Sequence, residues 1–194
     1  MREILKYIYH FFYRLFFRVG YETRYNLTPI TLKLFFFQKI LGFNRKANWP
    51  VHFTSRIGIP QNIKVGISSA PGFMPGCYIQ GIGGVEIGDY CIVAPNVGII
   101  SSNHDIYNFK VNNKGPVKIG DYCWLGMNSV VLPDVTLGDF TIVAAGSVVT
   151  KSFPMGHCVI AGTPAKIIRI LDKEKCIRHN DRFEYYGYTE KSKI

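Results

Sequence analysis

Large aliphatic residues recur at every sixth position through two stretches of this chain: Ile87, Val93 and Ile99, then Ile119, Leu125, Val131, Leu137, Val143 and Val149. Two further positions keep step. The residue after the aliphatic is often Gly or Ala (Gly88, Ala94, Gly120, Gly126, Gly138, Ala144). The one four after it is small or β-branched (Cys91, Val97, Cys123, Ser129, Val135, Thr141, Ser147). A period of six is neither the 3.6 of a helix nor the plain alternation of a strand, and it describes short flat faces with a turn every six residues. Three such faces close a triangular rung. Stacked rungs pair their backbones with the rungs above and below, and the aliphatic and small positions fill the interior. The spacing therefore predicts a mainly β chain coiled as a parallel β-helix. A β-sandwich with accidental spacing is the alternative, and nine aliphatics in two phased runs speak against it.

Gly or Ala after each aliphatic suits a corner where a larger side chain would crowd the bend. Upstream, Val65–Ser69 fits a rung and Ile57-Gly58 begins one, whereas the beat is lost from 70 to 84. It breaks again after Ile99. The interval to Ile119 is twenty residues, two more than three repeats, and it presents Asn103, His104 and Asp105 where a small interior residue is due.

The ends differ from the middle. Arg2, Lys6, His10, Arg14 and Arg18 stand four apart in the first twenty residues, drawing one basic stripe on a helix whose other positions are Ile, Leu, Tyr and Phe. No uncharged run reaches the length of a spanning helix, and a basic, aromatic-rich amphipathic helix suits an anionic membrane surface. Packing of the same face against the rest of the protein is the alternative. A second apolar stretch, Leu32 to Phe43, follows. The expected organisation is an N-terminal helical region over 1–54, a β-helix over 55–170 with a loop at 101–116, and a polar tail over 171–194 with no assigned role.

Composition narrows the partners. Over 194 residues the formal charge is +10, which favours anionic partners. Aromatics as dense as those at the N-terminus would be wasted on a phosphate groove, so nucleic acid is not expected. The five cysteines are widely spaced, contain no CxxC pair and are odd in number. That argues against a zinc knuckle or a disulfide framework and for a reducing compartment. The N-terminus is a poor signal peptide, so the expected location is cytoplasmic, peripheral to the inner membrane face if residues 1–43 bind it.

The runs Val117–Gly126 and Ala144–Lys151, and the closing Ala161–Lys166, resemble in order the signatures of the hexapeptide-repeat acyltransferases, and the resemblance covers roughly 55–170. Within that family the chain is similar to the maltose, galactoside and bacterial-polysaccharide O-acetyltransferases. The resemblance implies a left-handed coil, against the usual right-handed crossover. It implies a homotrimer with each active site between two subunits, and acetyl-CoA as donor, with no metal. It also implies a sugar hydroxyl of a surface polysaccharide or its lipid-linked precursor as acceptor.

A hydroxyl is a poor nucleophile at neutral pH, and imidazole is matched to taking its proton. His104 fits the family's loop base. Asp105 joins it as a catalytic candidate, to orient the ring, stabilise imidazolium or bind acceptor, with loop capping as the alternative. By the same resemblance Trp124, Gly126, Met127 and Ala145 border the pantetheine groove, with backbone contacts at 127 and 145. Thr150, Lys151, Lys166 and Arg169 stand near the cofactor's phosphates. Met127 departs from the small polar residue of related sequences, so only its backbone role carries over. Cys91 and Cys123 raise a covalent acyl-enzyme, but they occupy the small interior position and are read as packing. The other histidines are read as surface residues.

Three rivals remain. Acetylation of serine, an amino sugar or a drug would use the same machinery. A γ-class carbonic anhydrase shares the β-helix but needs three histidine ligands, and His104 is the one histidine in the repeats before 157. A catalytically silent scaffold for a membrane-associated biosynthetic complex is the reading from another class.

Overall fold

The computed structural model describes residues 11–193. Its centre is a left-handed parallel β-helix of triangular section. The first face stacks Arg56–Gly58, Tyr78–Gln80, Gly98–Ile100, Val130–Val131 and Val148–Val149. The second stacks Ile63–Val65, Val85–Ile87, Val117–Ile119 and Thr136–Leu137. The third stacks Ile92–Val93, Trp124–Leu125, Thr141–Val143 and Cys158–Gly162, and Ala165–Ile170 folds back antiparallel along its last strand. All nine aliphatics of the beat are buried, and the seven small positions are each at most 1% exposed. Cys91 and Cys123 lie among them, as expected.

The corners show why the coil turns. The residue three after the aliphatic takes left-handed backbone at Ser68, Tyr90, Asn96, Tyr122, Asn128, Asp134 and Phe140. Asn and Asp tolerate that conformation locally, whereas Tyr and Phe need compensation. The compensation is a ladder at the corner between the second and third faces. There the rings of Tyr90 and Tyr122 stack at 5.2 Å, those of Tyr122 and Phe140 at 4.9 Å, and Phe140 meets His157 at 5.1 Å. His157 and His179 adjoin this ladder: His179 is exposed, as expected, while meeting both Tyr90 and Tyr122, and His157 is half-buried instead of on the surface. The Gly or Ala after the aliphatic serves a different purpose from the expected one. A Cβ at Gly120 would stand 2.7 Å from the Asp139 N of the next rung, so close stacking of rungs, and not the bend, excludes larger side chains.

Two phase breaks are corrected. Ile79 is fully buried and in register with Ile57 and Ile99, fourteen residues after Val65 and eight before Ile87, so within 70–84 the beat slips by two residues twice, once in the strandless stretch before Tyr78 and again at the Gly81–Gly84 turn. Ile99 lies on the first face and Ile119 on the second, a step of twenty residues where the next rung takes six from Val131 to Leu137. The insertion therefore replaces one corner, with an excess of fourteen residues instead of two.

The N-terminal region closes the lower end. Residues 11–16 are helical, followed by helices at Arg18–Thr23 and Leu32–Phe35, the latter running into a π-turn at Phe36–Ile40. Of the basic stripe, Arg2, Lys6 and His10 lie outside the described residues. Arg14 is exposed, and Arg18 is committed to Glu22 at 2.7 Å and Glu190 at 3.5 Å. The tail is docked, not loose: Tyr185 hydrogen-bonds the Glu22 carboxylate, and Arg178 pairs with Asp139 at 2.6 Å across the aromatic ladder. No helix among the described residues is long and apolar enough to cross a membrane.

Gln38 is the pin of this end. Its side chain is fully buried, donates to Trp49 O at 2.8 Å and Ala47 O at 3.2 Å, and accepts from Val51 N at 3.0 Å and Tyr188 Oη at 2.7 Å. Gln38→Leu strands those groups without water. At about 1–3 kcal/mol for each unpaired buried group, it should destabilise the protein by about 3 kcal/mol or more in denaturant unfolding. A loss below about 1 kcal/mol would show that the pin is dispensable.

Candidate active site

The insertion at the corner between the first and second faces is a built hairpin. Ser102–His104 pairs antiparallel with Asn112–Lys114, placing His104 opposite Asn112. Its base is tied to the coil by Ser101, which is fully buried, bonds Gln80 O through its hydroxyl, and accepts from Gly115 N at 2.9 Å through its carbonyl. A short link thus joins His104 to a rigid rung.

His104 Nδ1 lies 2.7 Å from Phe109 O. A carbonyl only accepts, so Nδ1 carries the proton and Nε2 is the basic nitrogen. Asp105 does not orient the ring. Its Oδ1 accepts from Tyr107 N and Asn108 N, both at 2.9 Å, and its Oδ2 from Asn113 Nδ2 at 3.3 Å. The backbone N–H groups at Tyr107 and Asn108 hold its carboxyl below the usual carboxylate range. Asp105 therefore caps the turn that carries Phe109, the loop-capping alternative raised for it. The Phe109 carbonyl is a positioning group that spacing did not reveal, since a backbone acceptor leaves no mark in a sequence. Ile106, Tyr107 and Phe109 are exposed at the tip.

The expected donor groove falls at a different corner. Gly126-Met127 and Ala144-Ala145 are successive turns between the third and first faces, and Trp124 projects from the third face between Ile92 and Ile142. Gly126 N donates to Val143 O at 2.8 Å and Gly146 N to Met127 O at 2.9 Å. Among the described residues no acceptor takes the N–H of Met127 or Ala145, which leaves two donors about 5 Å apart on neighbouring rungs. Met127 itself is exposed. Lys166 and Arg169 lie on the antiparallel strand that edges the third face, opposite Ala161 and Val159. Thr150 and Lys151 sit elsewhere, on the His104 corner two rungs above the hairpin, with Lys151 Nζ 5.8 Å from the Phe153 ring. One chain thus separates its expected base from most of its expected groove by the full width of the first face.

The outward positions of the faces differ in character. The second presents Lys64, Glu86, Lys118 and Thr136, with Lys64 Nζ 3.1 Å from Glu86 Oε1. The third presents Ile92, Trp124, Ile142 and Val159, and the first Tyr78, Gly98, Val130 and Val148. The third face is apolar outside, the first is apolar above the exposed Arg56 at its lower edge, and the second is charged. A covalent route through cysteine is disfavoured, because the Cys123 thiol and burial hold the Cys91 thiol well above its ordinary pKa. No group of three metal-ligating side chains occurs among the described residues.

Residues 116–151 match the family model described as bacterial transferase hexapeptide (six repeats). Over 111 residues, 55% of this chain and 50% of the relative, the sequence is 34% identical to the galactoside O-acetyltransferase of Escherichia coli K12. A solved maltose O-acetyltransferase from Clostridium difficile 630 superposes with a TM-score of 0.60 at 28% identity, over 74% of this chain and 80% of that one. A galactoside acetyltransferase in complex with coenzyme A superposes with a TM-score of 0.59 at 30% identity, over 69% and 67%. The chain spans about half the length of the curated relatives it matches.

A Cβ on Gly126 would stand 2.6 Å from both Ala145 N and Val143 O. Gly126→Ala should therefore force the two rungs apart, at about 1–3 kcal/mol in denaturant unfolding. It should also disturb the Met127 and Ala145 donors, so affinity for coenzyme A, read by calorimetry, should fall with it. Unchanged stability and affinity would show that the rungs slide freely.

Proposed function

As this chain belongs to the hexapeptide-repeat acyltransferases, we propose that it moves an acetyl group from acetyl-CoA to a sugar hydroxyl of a surface polysaccharide or its lipid-linked precursor, with His104 as general base. The observation that carries the reading is the imidazole itself, fixed by Phe109 O with Nε2 left basic on a tied hairpin. Nε2 takes the hydroxyl proton as the oxygen attacks the thioester carbonyl. The tetrahedral intermediate expels the coenzyme A sulfur, and the imidazolium returns its proton to that sulfur. Met127 N and Ala145 N suit the carbonyls of the pantetheine arm, beside Trp124 and the open turn at Gly126. Lys166 and Arg169 on the edge of the same face suit its phosphates, and Thr150 and Lys151 reach them from the other corner.

A homotrimer unites the halves. Packing the apolar first face of one subunit against the apolar third face of its neighbour covers both, leaves the charged second face in water, and brings His104 toward a neighbouring Trp124, Met127 and Ala145. The exposed Phe11, Phe12, Leu15 and Phe16, with Arg14 beside them, support a peripheral position on an anionic membrane through the N-terminal region.

His104→Ala should lower kcat for thiol release from acetyl-CoA by about a hundredfold or more, with affinity for coenzyme A unchanged. Full function of that variant in cells would favour the silent scaffold. Asp105→Ala should lower kcat without moving the KM for acetyl-CoA, because the turn behind the ring loosens. Asp105→Asn, which keeps one oxygen for the Tyr107 and Asn108 N–H groups, should recover part of the loss. A shift in KM alone would assign Asp105 to binding instead.

A further inference from the structure

The His104 corner has a lower end with its own chemistry. Beneath the first rung lies a cleft of about 490 Å³ walled by Arg45, Lys46 and Arg56, together with Asn44, Gly42 and Pro60, and no carboxylate lines it. All three cations are exposed, and among the described residues none forms an ion pair. Arg45 is held by its Nη2, which donates to Ile40 O at 3.0 Å. Asn44 fixes the floor, since its Oδ1 accepts from Ile57 N at 3.1 Å and its Nδ2 donates to Ser55 O at 2.8 Å.

Placement gives the cleft meaning. Arg56 opens the first face and Pro60 stands at the corner between the first and second faces. His104 rises from that corner two rungs higher, about 10 Å along the axis at the usual strand spacing. Phe36, Ile40, Leu41 and Phe43 are all about half exposed, and they adjoin the cleft through Gly42, which Leu41 and Phe43 flank, and through Ile40, whose carbonyl holds Arg45. Three unpaired cations, two of them arginines with forked donors, match a phosphate or pyrophosphate better than a neutral sugar.

We propose that this cleft binds the phosphate groups of the acceptor, which is therefore a sugar carried on a phosphate or pyrophosphate with an apolar tail. The tail lies on those four apolar residues, the phosphates sit between Arg45, Lys46 and Arg56, and the sugar extends up the corner to His104. This rests on the acetyltransferase reading above.

The test is calorimetry with farnesyl pyrophosphate as probe, with coenzyme A present in saturating amount so that its own phosphate contacts are filled. Farnesyl pyrophosphate should bind, farnesol should bind at least about tenfold more weakly, and inorganic pyrophosphate should compete. Arg45→Glu with Arg56→Glu should weaken binding about tenfold or more while affinity for coenzyme A, which reports the fold, stays unchanged. Phe36→Ser with Ile40→Ser should weaken farnesyl pyrophosphate but not inorganic pyrophosphate. Undiminished binding by the Arg45/Arg56 variant would overturn the proposal. So would displacement of the probe by phosphatidylglycerol vesicles as effective as by pyrophosphate, which would make the cleft a membrane headgroup site. Binding of coenzyme A without farnesyl pyrophosphate would sink the cleft alone. Binding of farnesyl pyrophosphate without coenzyme A would sink the acetyltransferase reading and the acceptor assignment with it.

Discussion

The distance between rungs is the constraint on which everything else hangs. Backbone pairing holds neighbouring strands about 4.8 Å apart on all three faces at once, so no rung can swell without breaking bonds on two others. The interior therefore accepts one aliphatic and one small side chain per face, and on the second and third faces the residue after the aliphatic is Gly or Ala from Ile87 to Val143 because the next rung's backbone stands against it. The corners alone are free of this rule. Each departure from the six-residue step between Ile57 and Ile119 is accordingly a corner insertion, and three successive ones fall between the first and second faces: Gly58–Asn62, Gly81–Gly84 and the His104 hairpin.

The corner between the second and third faces is used differently. Asp89 N donates to Asp121 Oδ1 at 2.9 Å and Asp121 N to Asp139 Oδ1 at 3.0 Å, so each aspartate ties its rung to the next. The repeated Gly-Asp-aromatic motif is thus a structural device. Its carboxylates are spent on backbone, and its rings offset one another's strained left-handed conformation through stacking worth about 0.5–1.5 kcal/mol a pair. Arg178 lies over Tyr122 and Phe140 while pairing with Asp121 and Asp139, and so fastens the tail to the same corner. That corner is thereby flanked by its own tail.

The interior was legible because a period is a statement about volume, and every aliphatic from Ile87 to Val149 that kept the beat, with the small residue four after it, proved buried. Ile79 was harder to place because two added residues before it and two after it shift the phase without disturbing the coil, and a periodicity argument reads a shift as a loss. His104 stood out as an interruption, yet its fixing partner is a carbonyl and its neighbour Asp105 serves the turn. Side-chain identity could not separate those roles. The docking of the tail was illegible for a related reason: Arg178, His179, Tyr185 and Tyr188 act through long-range contacts that obey no spacing.

The separation of His104 from Met127 and Ala145 follows from the same geometry. A prism stacked this tightly has no internal cleft in which a base and a cofactor could meet, because its core is filled from end to end. Chemistry must happen on the outside, and an outside surface is a poor place for it: water screens the charges, and nothing holds a long cofactor on a flat face. In the homotrimer proposed above, a second copy against the face would supply the missing wall. The charged second face could not serve, since burying Lys64, Glu86 and Lys118 would cost their hydration, whereas burial of Ile92, Trp124, Ile142 and Val130 is favourable. The polarity of the three faces would therefore select which corners such packing turns into clefts, and the corner that carries the inserted histidine borders the first face, apolar above Arg56.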